Sequence, residues 1–259
     1  MKLQVDGKDA FAYTAAHPLE AKKPSIVFIH GAGLDHSSFG LQSRYFGYHG
    51  RNVLALDLPG HGRSEGPPLP SIAEMARWIF KAMENLGIEK AGIVGHSMGA
   101  LAALECAARQ PARVERIALI GIAYPMKVGA EFLDAAKRND YAAFDMHTIW
   151  GHAAQLPLGR DATPGMWSYG DTQARLERLA PGVLHNDLKA CNDYAFSGDV
   201  SCPALLILGQ KDVMTPPRNA ADLAKKLKQA KTVVLPSSGH TLMTEAPDAT
   251  LDALIEFFA

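Results

Sequence analysis

The chain has 259 residues, of which 47% are hydrophobic and 20% are charged, so it can bury the core of one large α/β domain that carries an insertion. Its 26 basic and 27 acidic residues give a formal net charge of −1, with no long run of one sign, which argues against binding to nucleic acid or to an anionic membrane. We therefore expect a small-molecule substrate as the partner, and the composition leaves the oligomeric state open, a homodimer included.

Two further patterns bear on location and on metal binding. No segment approaches the ~20 consecutive apolar residues that a bilayer crossing needs, and the N-terminal stretch lacks the apolar core of a signal peptide, so we predict a cytoplasmic protein. Cys106, Cys191 and Cys202 are odd in number and far apart, which favours neither a disulfide framework nor a zinc site. The sequence predicts no metal and no cofactor.

The predicted strands begin with a pair at the N-terminus. The segments "KLQVDG" and "AFAYTAA" are joined by a turn sequence and predict an antiparallel hairpin at the edge of a sheet. Six short apolar runs follow, each ending in a turn residue, as is typical of strands buried on both faces of a parallel sheet. They are "SIVFIHG" (25–31), "NVLALDL" (52–58), "AGIVGHS" (91–97), "RIALIGI" (116–122), "ALLILGQ" (204–210) and "KTVVLPS" (231–237).

Segments of helical period lie between these runs. In "SIAEMARWIFKAMENLG", Ser71 and Glu74 have the spacing of a capping box, and Gly87 supplies a stop at the C-terminal end. A last helix is expected to open at Pro247. Because helical crossovers join parallel strands, the alternation predicts a mostly parallel α/β sheet with helices on both faces.

The alternation breaks between residues 126 and 199. This region holds eight Phe, Tyr and Trp side chains and three Met side chains among short helical patterns, with loop signals at "QLPLGRDATPG" and "APG". Aromatic residues at helical spacing usually mean packing, yet an aromatic-rich insertion is also what a lid over an apolar pocket requires. We predict a core domain formed by residues 1–125 and 200–259, and a helical cap formed by residues 126–199.

The stretch "VGHSMGA" places Ser97 where a strand turns abruptly into a helix. A turn that tight forces its central residue towards positive φ and brings backbone segments together, so Gly95 and Gly99 are expected where a Cβ would collide. G-x-S-x-G between a strand and a helix is typical of an exposed nucleophile. Ser97 is therefore the candidate nucleophile.

A serine nucleophile needs a base and an orienting acid. Asp212 follows the strand "ALLILG" and His240 follows the last strand, so both lie at the carboxyl edge of the sheet, where ligand sites of open α/β sheets collect. The order Ser97, Asp212, His240 is the one expected for this turn. Asp57 and Asp193 are competing acids, although Asp57 more simply braces the "DLPGHGRS" turn.

The other histidines have plainer interpretations. His30, His61 and His96 sit in glycine turns and are interpreted as structural. His147 and His152 have the wrong spacing for ligating a metal from one face of a helix.

Acyl transfer also needs two N–H groups aimed at the developing oxyanion. The Met98 N–H follows the nucleophile at a helix N-terminus, and the second donor is expected from the loop "HGAG". Ala32 is the first choice for that donor and Gly33 the second.

With these residues in place, the sequence resembles the α/β-hydrolase superfamily. "HGAG", "DLPGHGRS", "GHSMG", "GQKDVMTP" and "SSGH" stand in the family's order, and the insertion falls where the family carries its cap. The resemblance implies an eight-stranded sheet and a triad of Ser97, Asp212 and His240. The serine excludes the aspartate-based chemistry of haloalkane dehalogenases and epoxide hydrolases.

Within that superfamily, we expect a serine carboxylesterase that acts on small to medium, largely apolar esters through an acyl-enzyme. A C–C bond hydrolase of a dienone acid is an alternative, although "HGAGLD" and "GHT" depart from the H-G-x-G-P-G and the tryptophan of that group. An enol-lactonase is a further alternative, and a non-hydrolytic ligand receptor on the same fold is the alternative from another class.

Overall fold

The structure is a computed structural model that describes residues 1–153 and 165–259. Its sheet has eight strands in the order β1-β2-β4-β3-β5-β6-β7-β8. The strands are β1 (Lys2–Val5), β2 (Lys8–Tyr13), β3 (Ser25–Ile29), β4 (Asn52–Asp57), β5 (Ala91–His96), β6 (Val114–Ile120), β7 (Ala204–Gly209) and β8 (Ala230–Leu235). Only the pairs β1–β2 and β2–β4 are antiparallel. The eight-stranded, mostly parallel sheet and the N-terminal hairpin are thus confirmed.

The helices of the described ranges connect and cover these strands. They are α1 (Gly40–Tyr48), α2 (Ile72–Asn85), α3 (Met98–Arg109), α4 (Ala130–Lys137), α5 (Tyr141–Gly151), α6 (Ser168–Leu176), α7 (Val183–Asp193), α8 (Ala221–Lys226), α9 (Leu242–Glu245) and α10 (Pro247–Phe258). Helices α4 to α7 lie between β6 and β7, in the region predicted as the cap, whose boundaries stay a prediction. The loop signal at 155–165 lies almost wholly outside the described residues. No helix within 1–153 or 165–259 combines the length and apolar character needed to span a bilayer.

Side chains on the two faces of the sheet belong to separate cores. On one face Val27, Ile93 and Leu206 pack in a cluster that includes the buried faces of α2 and α3. On the other face the alternate residues Phe28 and Val94 pack in a cluster with α1 and α10. Because successive strand residues point to opposite faces, a continuous apolar run fills both cores.

The residues that the sequence predicts at the ends of helices are found there in the structure. Ser71 precedes α2, and its hydroxyl accepts a hydrogen bond from the Glu74 N–H at 3.2 Å. Gly87 follows the helix with φ +69°, a conformation that glycine adopts without a steric penalty. Pro247 is the first residue of α10, as expected.

The expectation of burial on both faces is wrong for β8. Four of its six residues are exposed, and only Leu235 is fully buried. The reason is its place in the order of strands, because β8 forms the edge of the sheet next to β7 alone.

Candidate active site

Ser97 lies between the end of β5 and the start of α3, with φ 52° and ψ −113°. The two glycines around it make this turn sterically feasible. A Cβ on Gly95 would lie 2.0 Å from the Gly99 carbonyl oxygen, and a Cβ on Gly99 would lie 2.1 Å from the Ile29 carbonyl oxygen. The structure therefore has the positive φ and the close backbone approach that the sequence predicts.

Asp212 and His240 meet at the carboxyl edge of the sheet, after β7 and β8. The His240 Nδ1 lies 2.7 Å from Asp212 Oδ2, and both side chains are buried. The Thr215 N–H donates to Asp212 Oδ1 at 2.7 Å, and the Thr215 hydroxyl donates to Oδ2 at 2.6 Å. Burial alone would raise the pKa of Asp212, but His240 and the Thr215 hydrogen bonds lower it to about 2. Asp212 is therefore ionised at neutral pH and accepts the proton of Nδ1.

The backbone around His240 is fixed by neighbouring segments. The N–H groups of His240 and Thr241 both donate to the carbonyl oxygen of Gly151, at 3.1 and 3.0 Å, where α5 ends. The His240 carbonyl oxygen accepts from His96 Nε2 at 2.9 Å. These contacts leave the imidazole little freedom to turn away from Asp212.

Ser97 and His240 line the same pocket, which has a volume of about 190 Å³. Much of its wall is apolar and comes from Met126, Val128, Phe132, Trp150, Leu188 and Met214. Within the described ranges, Lys127 is the one Lys or Arg of the lining, and its Nζ donates to the Asn192 carbonyl oxygen at 2.7 Å. A larger hollow of about 620 Å³, bordered by Gly33, contains neither Ser97 nor His240, so the candidate catalytic residues belong to the smaller pocket.

The oxyanion candidates differ in what they already bind. Met98 is the first residue of α3, where an N–H has no acceptor within the helix. Ala32 lines the pocket beside Ser97. The Gly33 N–H donates to Asp187 Oδ2 at 2.9 Å and so points to a different acceptor. The Gly33 N–H is thus already bound, and Ala32 stays the first candidate for the second donor.

The competing acids lie elsewhere. Asp57 accepts hydrogen bonds from the His36 N–H at 2.8 Å and the Arg63 N–H at 2.9 Å, and so braces the "DLPGHGRS" turn as expected. Asp193 is exposed on α7 and pairs with Lys189. Neither contact involves His240.

The turn histidines are all buried, and two of them have the structural role assigned from sequence. His30 accepts from the Leu58 N–H at 3.1 Å, and His96 donates to the His240 carbonyl. His61 instead pairs with a residue of α7, since its Nε2 lies 2.7 Å from Asp187 Oδ2.

The sequence interpretation misses two residues that contact the loop "HGAG". His147 lines the pocket and its Nε2 lies 3.0 Å from the Ala32 carbonyl oxygen, while Asp187 holds Gly33 as described above. A signal for Asp187 exists in the sequence, because it occupies the apolar face of α7 with Val183, Leu184 and Leu188. A carboxylate on an apolar face needs a buried partner.

One group of side chains could offer ligand atoms to a metal. In residues 1–153 and 165–259 these are Asp35, His36 and Asp57, whose ligand atoms lie within 4.8 Å of one another. Asp57 already accepts from two backbone N–H groups, and Asp35 accepts from the Ser37 N–H at 2.8 Å. The group is thus an internally bonded turn.

Comparisons with known proteins show a family match and several similar proteins. Residues 26–253 match the family described as "Alpha/beta hydrolase family". The chain is 29% identical over 238 residues to the pimeloyl-[acyl-carrier protein] methyl ester esterase of Chromobacterium violaceum, covering 84% of this chain and 87% of that protein. It is 28% identical over 241 residues to the dihydrolipoyllysine-residue acetyltransferase component of the acetoin cleaving system of Pseudomonas putida. That match covers 90% of this chain but only 62% of the relative's length.

A solved structure shares the fold over its whole length. The enol-lactonase from Burkholderia xenovorans LB400 superimposes with a TM-score of 0.85 at 23% identity, covering 100% of this chain and 99% of that one.

Proposed function

The chain belongs to the alpha/beta hydrolase family, and on that premise we propose that it is a serine hydrolase that cleaves small to medium, largely apolar carboxylic esters through an acyl-enzyme. One observation carries the proposal. His240 is held 2.7 Å from an ionised Asp212, and it shares an apolar pocket with Ser97, which a strained turn presents.

The proposed reaction uses each of these groups in turn. His240 takes the proton of the Ser97 hydroxyl as the oxygen attacks the ester carbonyl carbon, and Asp212 stabilises the imidazolium that forms. The N–H groups of Met98 and Ala32 receive the oxyanion, each worth ~3 to 4 kcal/mol of transition-state stabilisation. His240 then returns its proton to the leaving alkoxide. Water, deprotonated by His240, cleaves the acyl-enzyme in the second half of the cycle.

The lining of the pocket supports an apolar acyl group. Apolar side chains form much of the wall and gain about 0.8 kcal/mol for each CH₂ that they remove from water. The similarity to a methyl ester esterase supports the same bond type.

Lys127 supports a second candidate, an enol-lactonase or a C–C bond hydrolase of a dienone acid. A substrate carboxylate would need a basic group at the pocket, and Lys127 is placed there. The fold shared with an enol-lactonase is compatible with this candidate. The comparison that separates the candidates is turnover of p-nitrophenyl acetate, butyrate and hexanoate against a dienone acid and an enol-lactone. Turnover of the dienone acid or the enol-lactone that is orders of magnitude more efficient than that of every neutral p-nitrophenyl ester would replace the esterase proposal.

The deciding experiment addresses the nucleophile. The Ser97→Ala variant should lose nearly all ester turnover, the initial burst of p-nitrophenol and all labelling by a fluorophosphonate. Ser37→Ala, at an exposed serine that does not line the Ser97 pocket, is the matched control and should keep all three. Circular dichroism verifies that both variants fold. Labelling that persists in Ser97→Ala would refute the nucleophile, and a wild-type protein that binds esters without turnover would indicate a receptor.

A further inference from the structure

The peptide group between Ala32 and Gly33 is bound on both sides by side chains from the helices between β6 and β7. Its carbonyl oxygen accepts from His147 Nε2 of α5 at 3.0 Å. Its N–H donates to Asp187 Oδ2 of α7 at 2.9 Å. The carbonyl and N–H of one trans peptide point in opposite directions, so the two helices hold the peptide plane from opposite sides.

This peptide is the central one of a β-turn. The Leu34 N–H donates to the Gly31 carbonyl oxygen at 3.2 Å, and Gly33, the third residue of the turn, has φ +68°. A positive φ at that position is the mark of a type II turn, whereas the type I turn has a negative φ there. The two types differ by a flip of the central peptide. Because residue 33 is glycine, its own backbone permits both.

Asp187, which accepts the Gly33 N–H, also forms an ion pair with His61, and this pair favours one orientation of the peptide. His61 Nδ1 lies 3.1 Å from the Pro59 carbonyl oxygen, which can only accept, and His61 Nε2 lies 2.7 Å from Asp187 Oδ2. Both ring nitrogens therefore carry protons, and His61 is an imidazolium beside a carboxylate. Burial alone would lower the pKa of His61, yet Asp187 and the hydrogen bonds raise it above its usual value.

The side chains of the pair that binds the Gly33 N–H are buried. Asp187 is 0% exposed and His61 is 2% exposed. A Cβ on Gly33 would lie 2.7 Å from Leu176 Cδ2 and 3.2 Å from Leu184 Cδ1, so side chains of α6 and α7 close over the turn. In such surroundings, a flip of the peptide would leave the Gly33 N–H without its acceptor and would turn the Ala32 carbonyl towards the Asp187 carboxylate. Unpaired buried polar groups are costly, so the bound orientation is strongly preferred.

We propose that Asp187 and His147 are positioning residues: by binding the peptide that follows Ala32, they anchor the Gly31–Leu34 turn against α5 and α7 and so keep the Ala32 N–H in place beside Ser97 as an oxyanion donor. The inference rests on the proposed function. It means that the oxyanion hole is complete only while α5 and α7 are seated on the turn.

The test compares variants of Asp187 in the full chain. Asp187→Leu has similar size and no acceptor, and it should lower kcat for a neutral p-nitrophenyl ester by about 10- to 100-fold, a part of the loss caused by removing one oxyanion donor. KM should change by less than about threefold, since ground-state binding does not use the donor. Asp187→Asn keeps an acceptor oxygen and should restore most of kcat. Asp193→Leu, on the exposed side of the same helix, should leave kcat unchanged.

A second readout separates positioning from general loosening. A boronic acid that forms a tetrahedral adduct on Ser97 should lose affinity for Asp187→Leu by about the same factor as kcat, while KM does not follow. If Asp187→Leu does not fold, His147→Phe takes its place, with His147→Gln as the variant that retains an N–H donor towards Ala32.

The outcomes distinguish the two proposals. If wild type and Asp193→Leu neither turn over esters nor take the fluorophosphonate label, the proposed function fails. If both are active and a folded Asp187→Leu or His147→Phe keeps kcat within about threefold of wild type, the positioning role alone is overturned.

Discussion

Three buried histidines should make the protein sensitive to mild acid. His30 and His147 have the pKa lowered to about 4, and His96 to about 3, chiefly by burial and further by the nearby His61 or His240. Their hydrogen bonds agree with a neutral ring. His30 uses one ring nitrogen to accept the Leu58 N–H, while Nδ1 of His96 and of His147 has no partner among the described residues.

The sign of the effect follows from proton linkage. In the unfolded chain these histidines titrate near pH 6.5, so between pH 6.5 and about 4 the unfolded state binds more protons than the folded state. The free energy of unfolding therefore decreases as the pH is lowered through this range. At about 1.4 kcal/mol per pH unit, each histidine lowers the free energy of unfolding by about 2 kcal/mol at pH 5, and the three together lower it by about 6 kcal/mol. His61 acts in the opposite sense, because its pKa is raised. As the pH is lowered from 7.5 to 6.5, His61 raises the free energy of unfolding by at most about 1.4 kcal/mol.

The measurement is urea unfolding at pH 7.5, 6.5 and 5 at constant ionic strength. We expect a net loss of about 4 to 5 kcal/mol between pH 7.5 and 5, which is a large share of the 5 to 15 kcal/mol typical of a domain. A His30→Asn variant, which lacks one of the titrating rings, should lose about 2 kcal/mol less over the same range. A free energy of unfolding that changes by less than about 1 kcal/mol from pH 7.5 to 5 would refute the reasoning.

Three other expectations concern the site and the thiols. Asp212→Asn should lower kcat about 10³- to 10⁴-fold with KM nearly unchanged, because it fixes the wrong His240 tautomer; a loss below about tenfold in steady-state kinetics would contradict this role. Among p-nitrophenyl esters, kcat/KM should rise from acetate to butyrate by up to about fourfold per CH₂ until the pocket is full, and acetate as the best ester would disprove the apolar wall. Burial raises the pKa of the Cys106 and Cys191 thiols, so iodoacetamide should modify them only in urea, and rapid labelling of the native protein at either position would contradict their burial.

Much of the fold was predictable because its signals are local. Each apolar run forms a strand whose bounds differ by one or two residues from the prediction, and Ser71, Gly87 and Pro247 lie where helix ends need them. The exposure of β8 was not predictable in the same way. A run such as "KTVVLPS" has the same composition at an edge as in the centre of a sheet, and only the order of strands decides which residues are covered.

In the candidate site, too, some residues could be predicted from local signals, whereas others depend on the tertiary fold. Asp212 and His240 could be selected from sequence, because loops after parallel strands share one edge of the sheet. Asp187 could not be joined to Gly33, 154 positions away, because nothing local determines how the helices between β6 and β7 sit on the sheet. For the same reason, the sequence could not indicate that the Gly33 N–H is already bound, which is the contact that favours Ala32 as the proposed donor.

The two outer strands bear on how copies of the chain can associate. β1 and β8 each have a strand neighbour on one side only, and such edges can template pairing with a further strand. Each edge carries a lysine, since the side chains of Lys2 and Lys231 are 84% and 54% exposed. Edge-to-edge pairing would bring these charges towards a second sheet and strip them of water, which opposes intermolecular sheet growth and aggregation. Lysine acetylation would remove that protection, whereas association through helix surfaces would not disturb it.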